Sequence, residues 1–319
     1  MPGEGRRVGV TGAAGFVGRA LVARLRAAGC EVVALDLAST ADGVLAADVR
    51  RPGPWQDRLA ACAAVVHTAA LVSQRATRDE AWVANVVATR RVIDALDPGT
   101  RLVHFSSAAV YSPDRPPMVG ETHPVRPTGR PYGDTKIAAE QVVLAAHVAG
   151  SVDAVVLRPG DVYGPGSRPW TEIPVAALRA GRLVLPAHGR GLIDPVYVDD
   201  LVECVLAAID AAAPATRVYN VAGGAPVSAA EFFGEYSRRL GLRPPRTAPT
   251  AVAMVVAEGM GRAQRLRGVR SELGAGSIAM LAKTGGLAID RVRRELDWVP
   301  RVDLAEGMRR TCDTIAARR

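Results

Sequence analysis

A phenol and a primary amine stand four residues apart in Tyr132-Gly-Asp-Thr-Lys136. On a helix that spacing puts both on one face, one turn apart. A free phenol titrates near pH ~10, so a neighbouring ammonium is needed to make it a competent acid or base at neutral pH, and Lys136 supplies that charge. Such a group suits the interconversion of a secondary alcohol and a ketone, where the hydroxyl proton must be exchanged while the carbon exchanges hydride with a nicotinamide. Tyr-x-x-x-Lys pairs also arise by chance on helices, so the surrounding segments decide.

A second segment points to the nicotinamide carrier. Thr11-Gly-Ala-Ala-Gly-Phe-Val-Gly18 lies between a strand-like and a helix-like stretch. Gly12, Gly15 and Gly18 let the backbone turn tightly and approach a pyrophosphate, and the helix that opens with Phe16 and Val17 offers free N–H groups and the positive end of its dipole. Asp36 closes the next strand, where an acid accepts hydrogen bonds from both adenosine ribose hydroxyls and repels a 2′-phosphate. With Leu37 after it and Ala13 and Ala14 in the loop, no Arg or Lys is near to receive that phosphate. The expected cofactor is NAD rather than NADP.

These segments need a scaffold, and the first half of the chain alternates short β-branched runs with longer amphipathic stretches, the pattern of a doubly wound α/β fold with a parallel sheet. Strands are expected at Val8–Thr11, Glu31–Asp36, Ala64–His67, Arg101–Ser106 and Val152–Arg158. Helices are expected at Phe16–Ala28, stopped by Gly29, and at Asp79–Leu96 and Asp134–Ala149. Beyond Arg158 the rhythm decays into Gly/Pro-rich loops, a helix near Trp170–Ala180 and a return to the sheet around Val218–Val221. Pro244–Gly286 has no clean period and yields only a helix from Thr250 onward. The expected division is a dinucleotide-binding Rossmann domain over 1–162, with returning segments near 190–222, and a smaller substrate-binding lobe from 163–189 and 223–319. The 319 residues, 49% of them hydrophobic, are enough to bury the cores of both.

Composition excludes several other classes. The formal charge of +8 does not read as nucleic-acid binding, because the arginines are dispersed and no tract interleaves them with stacking aromatics. The densest group, Arg262, Arg265, Arg267 and Arg270, reads as a solvated face. Cys30, Cys62, Cys204 and Cys312 are scattered singly, without the paired spacings of a zinc or dithiol site, so no metal is expected. No segment has the apolar length of a membrane span or a signal peptide, and the expected location is the cytoplasm.

The ordered series of motifs resembles the extended short-chain dehydrogenases/reductases, the NAD-dependent epimerase/dehydratase superfamily, nearly end to end. Besides the glycine loop it includes Asp48-Val49, His67-Thr-Ala-Ala70, Asn85 in Asn-Val-Val-Ala-Thr, Ser106-Ser-Ala-Ala-Val-Tyr111 and the Tyr132/Lys136 segment. It continues through Arg158-Pro-Gly-Asp-Val-Tyr-Gly-Pro165, Tyr197-Val-Asp-Asp200, Tyr219-Asn-Val221 and Leu296-Asp-Trp-Val-Pro300. The resemblance implies that Ser107 hydrogen-bonds the substrate oxygen and that Lys136 also binds the nicotinamide ribose. It further implies cofactor contacts at Asp48 and Val49 (adenine), Ala69, Ala70, Asn85, Pro159 and Val162.

Within that family, dehydratases carry acids just after the serine, where this chain has Ala108 and Ala109, so dehydration is disfavoured. Nucleotide-sugar members usually hold the diphosphate with an Asn before Tyr-Gly-Pro and an Arg four residues before the later tyrosine. Asp161 and Ile193 stand there instead, although Arg168, Arg182 or Arg190 remain as substitutes from loops. The pattern is nearest the 3β-hydroxysteroid dehydrogenase-like branch and implies oxidation or reduction of a small-molecule secondary alcohol or ketone. The alternatives are a nucleotide-sugar epimerase, which oxidises only transiently, and a non-catalytic dinucleotide sensor, which would need none of Tyr132, Lys136 and Ser107. Family members commonly dimerise through the helices matching Asp79–Leu96 and Asp134–Ala149, so a homodimer is expected.

Overall fold

A computed structural model describes residues 5–38, 43–73, 75–212, 214, 216–266, 268 and 274–317. Its centre is a seven-stranded parallel sheet: β1 (Arg7–Thr11), β2 (Glu31–Asp36), β3 (Val44–Ala46), β4 (Ala64–His67), β5 (Arg101–Phe105), β6 (Asp153–Pro159) and β7 (Val218–Val221), in the spatial order β7-β6-β5-β4-β1-β2-β3. Strands buried on both faces require apolar residues at nearly every position, and β4, with Ala64, Val65 and Val66 each fully buried, shows why. Alternate side chains serve opposite faces. Val66, Val103 and Leu157 pack toward α1 (Phe16–Ala27) and one cluster, while Val65, Leu102 and Val156 join Val92, Ile93 and Val143 in another.

The remaining helices are α2 (Trp55–Ala60), α3 (Arg78–Trp82), α4 (Ala88–Asp94), α5 (Pro131–Val148), α6 (Ile173–Arg179), α7 (Val198–Asp210), α8 (Ala229–Leu240), α9 (Thr250–Leu266), α10 (Ala275–Leu281), α11 (Asp290–Glu295) and α12 (Leu304–Ala317). A third apolar cluster is built by α6, α8 and α12 around Phe232, Phe233, Tyr236, Val175 and Met308. Ser228 caps α8, its hydroxyl accepting the Glu231 N–H at 3.1 Å, and Gly241 ends it with φ 65°. Short two-stranded ladders join Asp161–Tyr163 to Pro195–Tyr197 and Gly286–Leu287 to Met118–Val119. Among the described residues no helix is long and apolar enough to cross a membrane.

Three details depart from the sequence expectation. Val44–Ala46, assigned to no element above, pairs with β2 as an edge strand; three residues carry too little period to show. The expected Asp79–Leu96 helix is α3 and α4 joined by a π-helical turn, Val83–Val87, which holds Asn85. The helix expected from Asp134 begins at Pro131, where the missing N–H of proline costs nothing, so Tyr132 and Lys136 lie on one continuous helix. Of the arginine group, Arg262 sits within 3.6 Å of Glu258 on α9, whereas Arg267 and Arg270 lie outside the described residues.

Candidate active site

The register of the parallel sheet brings the ends of β1, β4 and β5 to one edge: Thr11 lies opposite His67, and His67 opposite His104. Gly12 follows β1 with φ 73°, and a Cβ there would lie 2.8 Å from the Ala69 nitrogen; a Cβ on Gly18 would lie 2.0 Å from the Gly12 oxygen. Two of the three glycines are therefore fixed by backbone packing. Gly15 is exposed and is the N-cap of α1, without a side-chain cap and without an acid in the first turn. The N–H groups at Phe16 and Val17 thus stand at an uncapped, positive helix end, which fits a pyrophosphate.

Asp36 Oδ2 accepts the Ala14 N–H at 3.0 Å, and Oδ1 accepts the Ala38 N–H at 3.4 Å. The acid thus ties β2 to the glycine loop, a role not seen in the sequence, and keeps lone pairs for a ribose. Asp48 is gripped by Arg50, whose Nε and Nη2 donate at 2.8 and 3.0 Å and hold its carboxyl below the usual range. Val49 is buried. Ala69 N–H lies 3.4 Å from the Thr11 hydroxyl, with Ala70 next to it. Asn85 is buried and turns inward: its Oδ1 accepts the Leu71 N–H at 2.7 Å, and its Nδ2 donates to Leu71 O and to Thr135 Oγ1 at 3.3 and 3.0 Å. It tethers the loop after Ala70 to α5. Pro159 ends β6 opposite Val221, and Val162 pairs with Val196 just beyond.

The chemical group assembles at the start of α5. The Ser107 and Tyr132 hydroxyls are hydrogen-bonded, and Ser107 Oγ also accepts the Ala109 N–H at 3.1 Å. Gly133 makes this contact possible, because a Cβ there would lie 2.8 Å from Ala109 O. Lys136 is buried and donates to Phe105 O at 2.7 Å, its nitrogen 6.0 Å from the Tyr132 ring centre. Burial lowers its pKa to about 8.

The electrostatics correct one expectation. The sequence reading has Lys136 drawing the phenol down toward neutrality. In the ligand-free chain burial pushes Tyr132 above its ordinary value despite the opposing Ser107 hydrogen bond. In this state the ammonium donates to a backbone carbonyl, and Tyr132 is a neutral proton donor.

A buried network supports the Ser107–Tyr111 turn. Glu140 on α5 binds Arg158 on β6 and accepts the Ser106 hydroxyl at 2.8 Å. Arg158 Nη1 donates to the Tyr111 oxygen at 2.7 Å, and the Tyr111 hydroxyl donates to Asn220 Oδ1 at 2.9 Å. His67 lies under this edge, its nitrogens 2.7 and 3.0 Å from the Thr11 and Thr89 hydroxyls. Its pKa is about 3, lowered by burial and then by Lys136, so it is neutral.

Asp161, at the position noted for its missing Asn, is buried. Lys283 Nζ donates to its Oδ2 at 2.6 Å and lies 3.2 Å from Asp194, which Arg115 Nη2 contacts at 2.6 Å. All four residues are at most 7% exposed. The sequence showed Asp161 but neither cation, since 122 residues separate it from Lys283.

Comparison with known proteins gives these positions a setting. Residues 8–222 match the NAD dependent epimerase/dehydratase family. The chain is 32% identical to a 3-diazoavenalumate denitrifying reductase of a Streptomyces species, over 92% of this chain and 96% of that protein. It is 30% identical to the 2-alkyl-3-oxoalkanoate reductase of Stenotrophomonas maltophilia, over 97% and 99%. Among solved structures it resembles MoeE5 in complex with UDP-glucuronic acid and NAD, with a TM-score of 0.78 and 27% identity over 98% of this chain and 100% of the other. With this architecture and a match over most of its length, the chain belongs to the NAD dependent epimerase/dehydratase family and is an NAD-dependent enzyme of the extended short-chain dehydrogenase/reductase type.

Proposed function

We propose that this enzyme interconverts a ketone and a secondary alcohol. One observation carries the choice: Asp161, where nucleotide-sugar members bring an Asn to the diphosphate, is consumed in a buried, charge-balanced cluster with Lys283, Asp194 and Arg115. Ile193, where an Arg would stand, is fully buried. A diphosphate has neither anchor, because the acid at one position is already paired and the side chain at the other is apolar. The 30% identical oxoalkanoate reductase supports a keto substrate.

The dinucleotide would be held by Gly12, Gly15, Phe16, Val17 and Gly18 at its pyrophosphate, by Asp36 at the adenosine ribose, and by Asp48, Val49, Ala69, Ala70, Asn85, Lys136, Pro159 and Val162 along its length. When bound it supplies or accepts the hydride. The substrate oxygen takes hydrogen bonds from Ser107 and Tyr132; neutral Tyr132 gives its proton to the developing alkoxide, and the Lys136 ammonium stabilises the phenolate left behind. In the oxidative direction the same proton returns to Tyr132.

Residues 1–162, with the segments near 190–222, form the dinucleotide half, and the rest frames the substrate. The protein works as a cytoplasmic homodimer through α3, α4, the π-helical turn between them, and α5, where Trp82, Val83 and Val148 are 46, 42 and 87% exposed. Incubation with NADH and a panel of ketones, and in parallel with NAD⁺ and nucleotide sugars, tests the reading: substrate-dependent loss of NADH absorbance with the ketones supports it, and sugar isomer exchange in the presence of NAD⁺ without net NADH formation would establish the epimerase instead.

A further inference from the structure

Arg75 lies four residues past Leu71 in the loop between β4 and α3. Its backbone is fixed: the Arg75 and Ala76 N–H groups donate to Ser73 Oγ at 3.0 and 3.1 Å, and Thr77 caps α3. Its guanidinium is not. Nε and Nη2, which share one edge of the planar group, are both shut from solvent and both lack a hydrogen-bond partner.

The cover comes from α9 and α10. Gly274, the buried N-cap of α10, approaches so closely that a Cβ would lie 2.9 Å from Arg75 Nη2 and 3.4 Å from Glu258 Oε2. Two idle, solvent-shut donors on a half-buried cation are unfavourable. Among the described residues, the apolar core that α9 and α10 share is Ala253, Ala257 and Ile278 with Met254 packed against them.

We propose that Arg75 is the anchor for a carboxylate on the substrate, over which α9 and α10 close. The inference rests on the keto-substrate reading above. The unpaired Nε/Nη2 edge of the guanidinium matches the two oxygens of a carboxylate. A doubly charged phosphate fits less well, because the Glu258 carboxylate borders the same glycine and repels the second charge. The anchor is tied to the chemical site: Leu71 is held at both its N–H and its C=O by Asn85, which also donates to Thr135 between Tyr132 and Lys136. Four residues of chain span at most about 14 Å, so Arg75 stays near the loop that Asn85 ties to α5, and one small molecule carrying both an acid and a reacting carbonyl, a keto acid or hydroxy acid, would answer to both positions.

The test is calorimetry of the NAD⁺-loaded protein with 3-oxodecanoate and with its methyl ester. The oxidised cofactor has no hydride to give, so binding is read apart from turnover. The acid should bind at least tenfold tighter than the ester, Arg75→Leu should erase the difference, and Arg75→Lys should restore part of it. The cofactor-free Arg75→Leu protein should melt no lower than the parent, since it loses an unpaired buried cation; a drop would indicate a structural ion pair and overturn the proposal. Equal affinity for acid and ester, no binding of the acid at millimolar concentration, or displacement of the acid by equimolar inorganic phosphate would each overturn it. If instead Tyr132→Phe left NADH-dependent ketone reduction intact, the catalytic reading would fail while the binding preference for the acid stood.

Discussion

The Lys283 ammonium meets the Asp161 carboxylate at 2.6 Å, with both side chains at most 6% exposed. Asp194 and Arg115 complete the group, giving two cations and two anions in one dry site. Such a cluster is expensive to break, because removing one partner strands a charge in the interior. Lys283→Met should therefore destabilise the protein by about 3–5 kcal/mol, visible as a fall in Tm on the order of 10 °C. Asp161→Asn with Lys283→Met restores neutrality and should recover part of the loss. An additive double variant in a thermal melt would sink this account.

Tyr132 supports a second prediction. Removing its hydroxyl deletes the proton donor without touching the glycine loop, so Tyr132→Phe should lower ketone reduction by roughly 10²–10⁴-fold while NAD affinity by calorimetry stays within about threefold. Ser107→Ala should act in the same direction but less, since it leaves the donor and removes one hydrogen bond to the reacting oxygen. Parallel losses of turnover and NAD affinity would show that the phenol serves binding rather than proton transfer.

Asp36 faces two ways. It holds the Ala14 N–H and stands at the end of β2, so Asp36→Ala should weaken NAD roughly 10- to 100-fold, the worth of a charged hydrogen-bond acceptor. The loop loses a tether in the same step. NADP should bind poorly to the parent and somewhat better to the variant, by calorimetry. Unchanged NAD affinity would reduce Asp36 to its structural role.

How much of this was legible in the chain depends on how locally each feature is encoded. β1, β2 and β4 were readable because parallel strands buried on both faces need apolar runs, and Gly12 and Gly18 because backbone lies where their side chains would be. Lys283 with Asp161, and Glu140 with Arg158, were not, since nothing local marks a partner 122 or 18 residues away. Gly133 was visible as a residue but not as the reason α5 can approach Ala109. The direction of the Tyr132 shift escaped for another reason: spacing brings an amine near a phenol, but desolvation depends on everything else packed there.

The last prediction follows from Lys136, whose pKa of about 8 lies below its ordinary value of 10.5 because burial disfavours its charge. In the unfolded chain the amine returns to its ordinary value. Between about pH 8 and 10.5 the unfolded state therefore holds a proton the folded state has lost, and stability attributable to this group rises with pH across that window, by roughly 3 kcal/mol in all. Below pH 8 the amine is charged in both states and the full burial cost persists. Activity should run the opposite way, since the charge that stabilises the Tyr132 phenolate disappears as pH passes 8. Lys136→Met should thus remove the high-pH fall in turnover, from an already low base. Denaturation midpoints measured at pH 7, 8.5 and 9.5 should show the variant losing its stability advantage over the parent as pH rises. A constant difference across that range, with an unchanged activity profile, would mean that Lys136 does not carry the titrating proton.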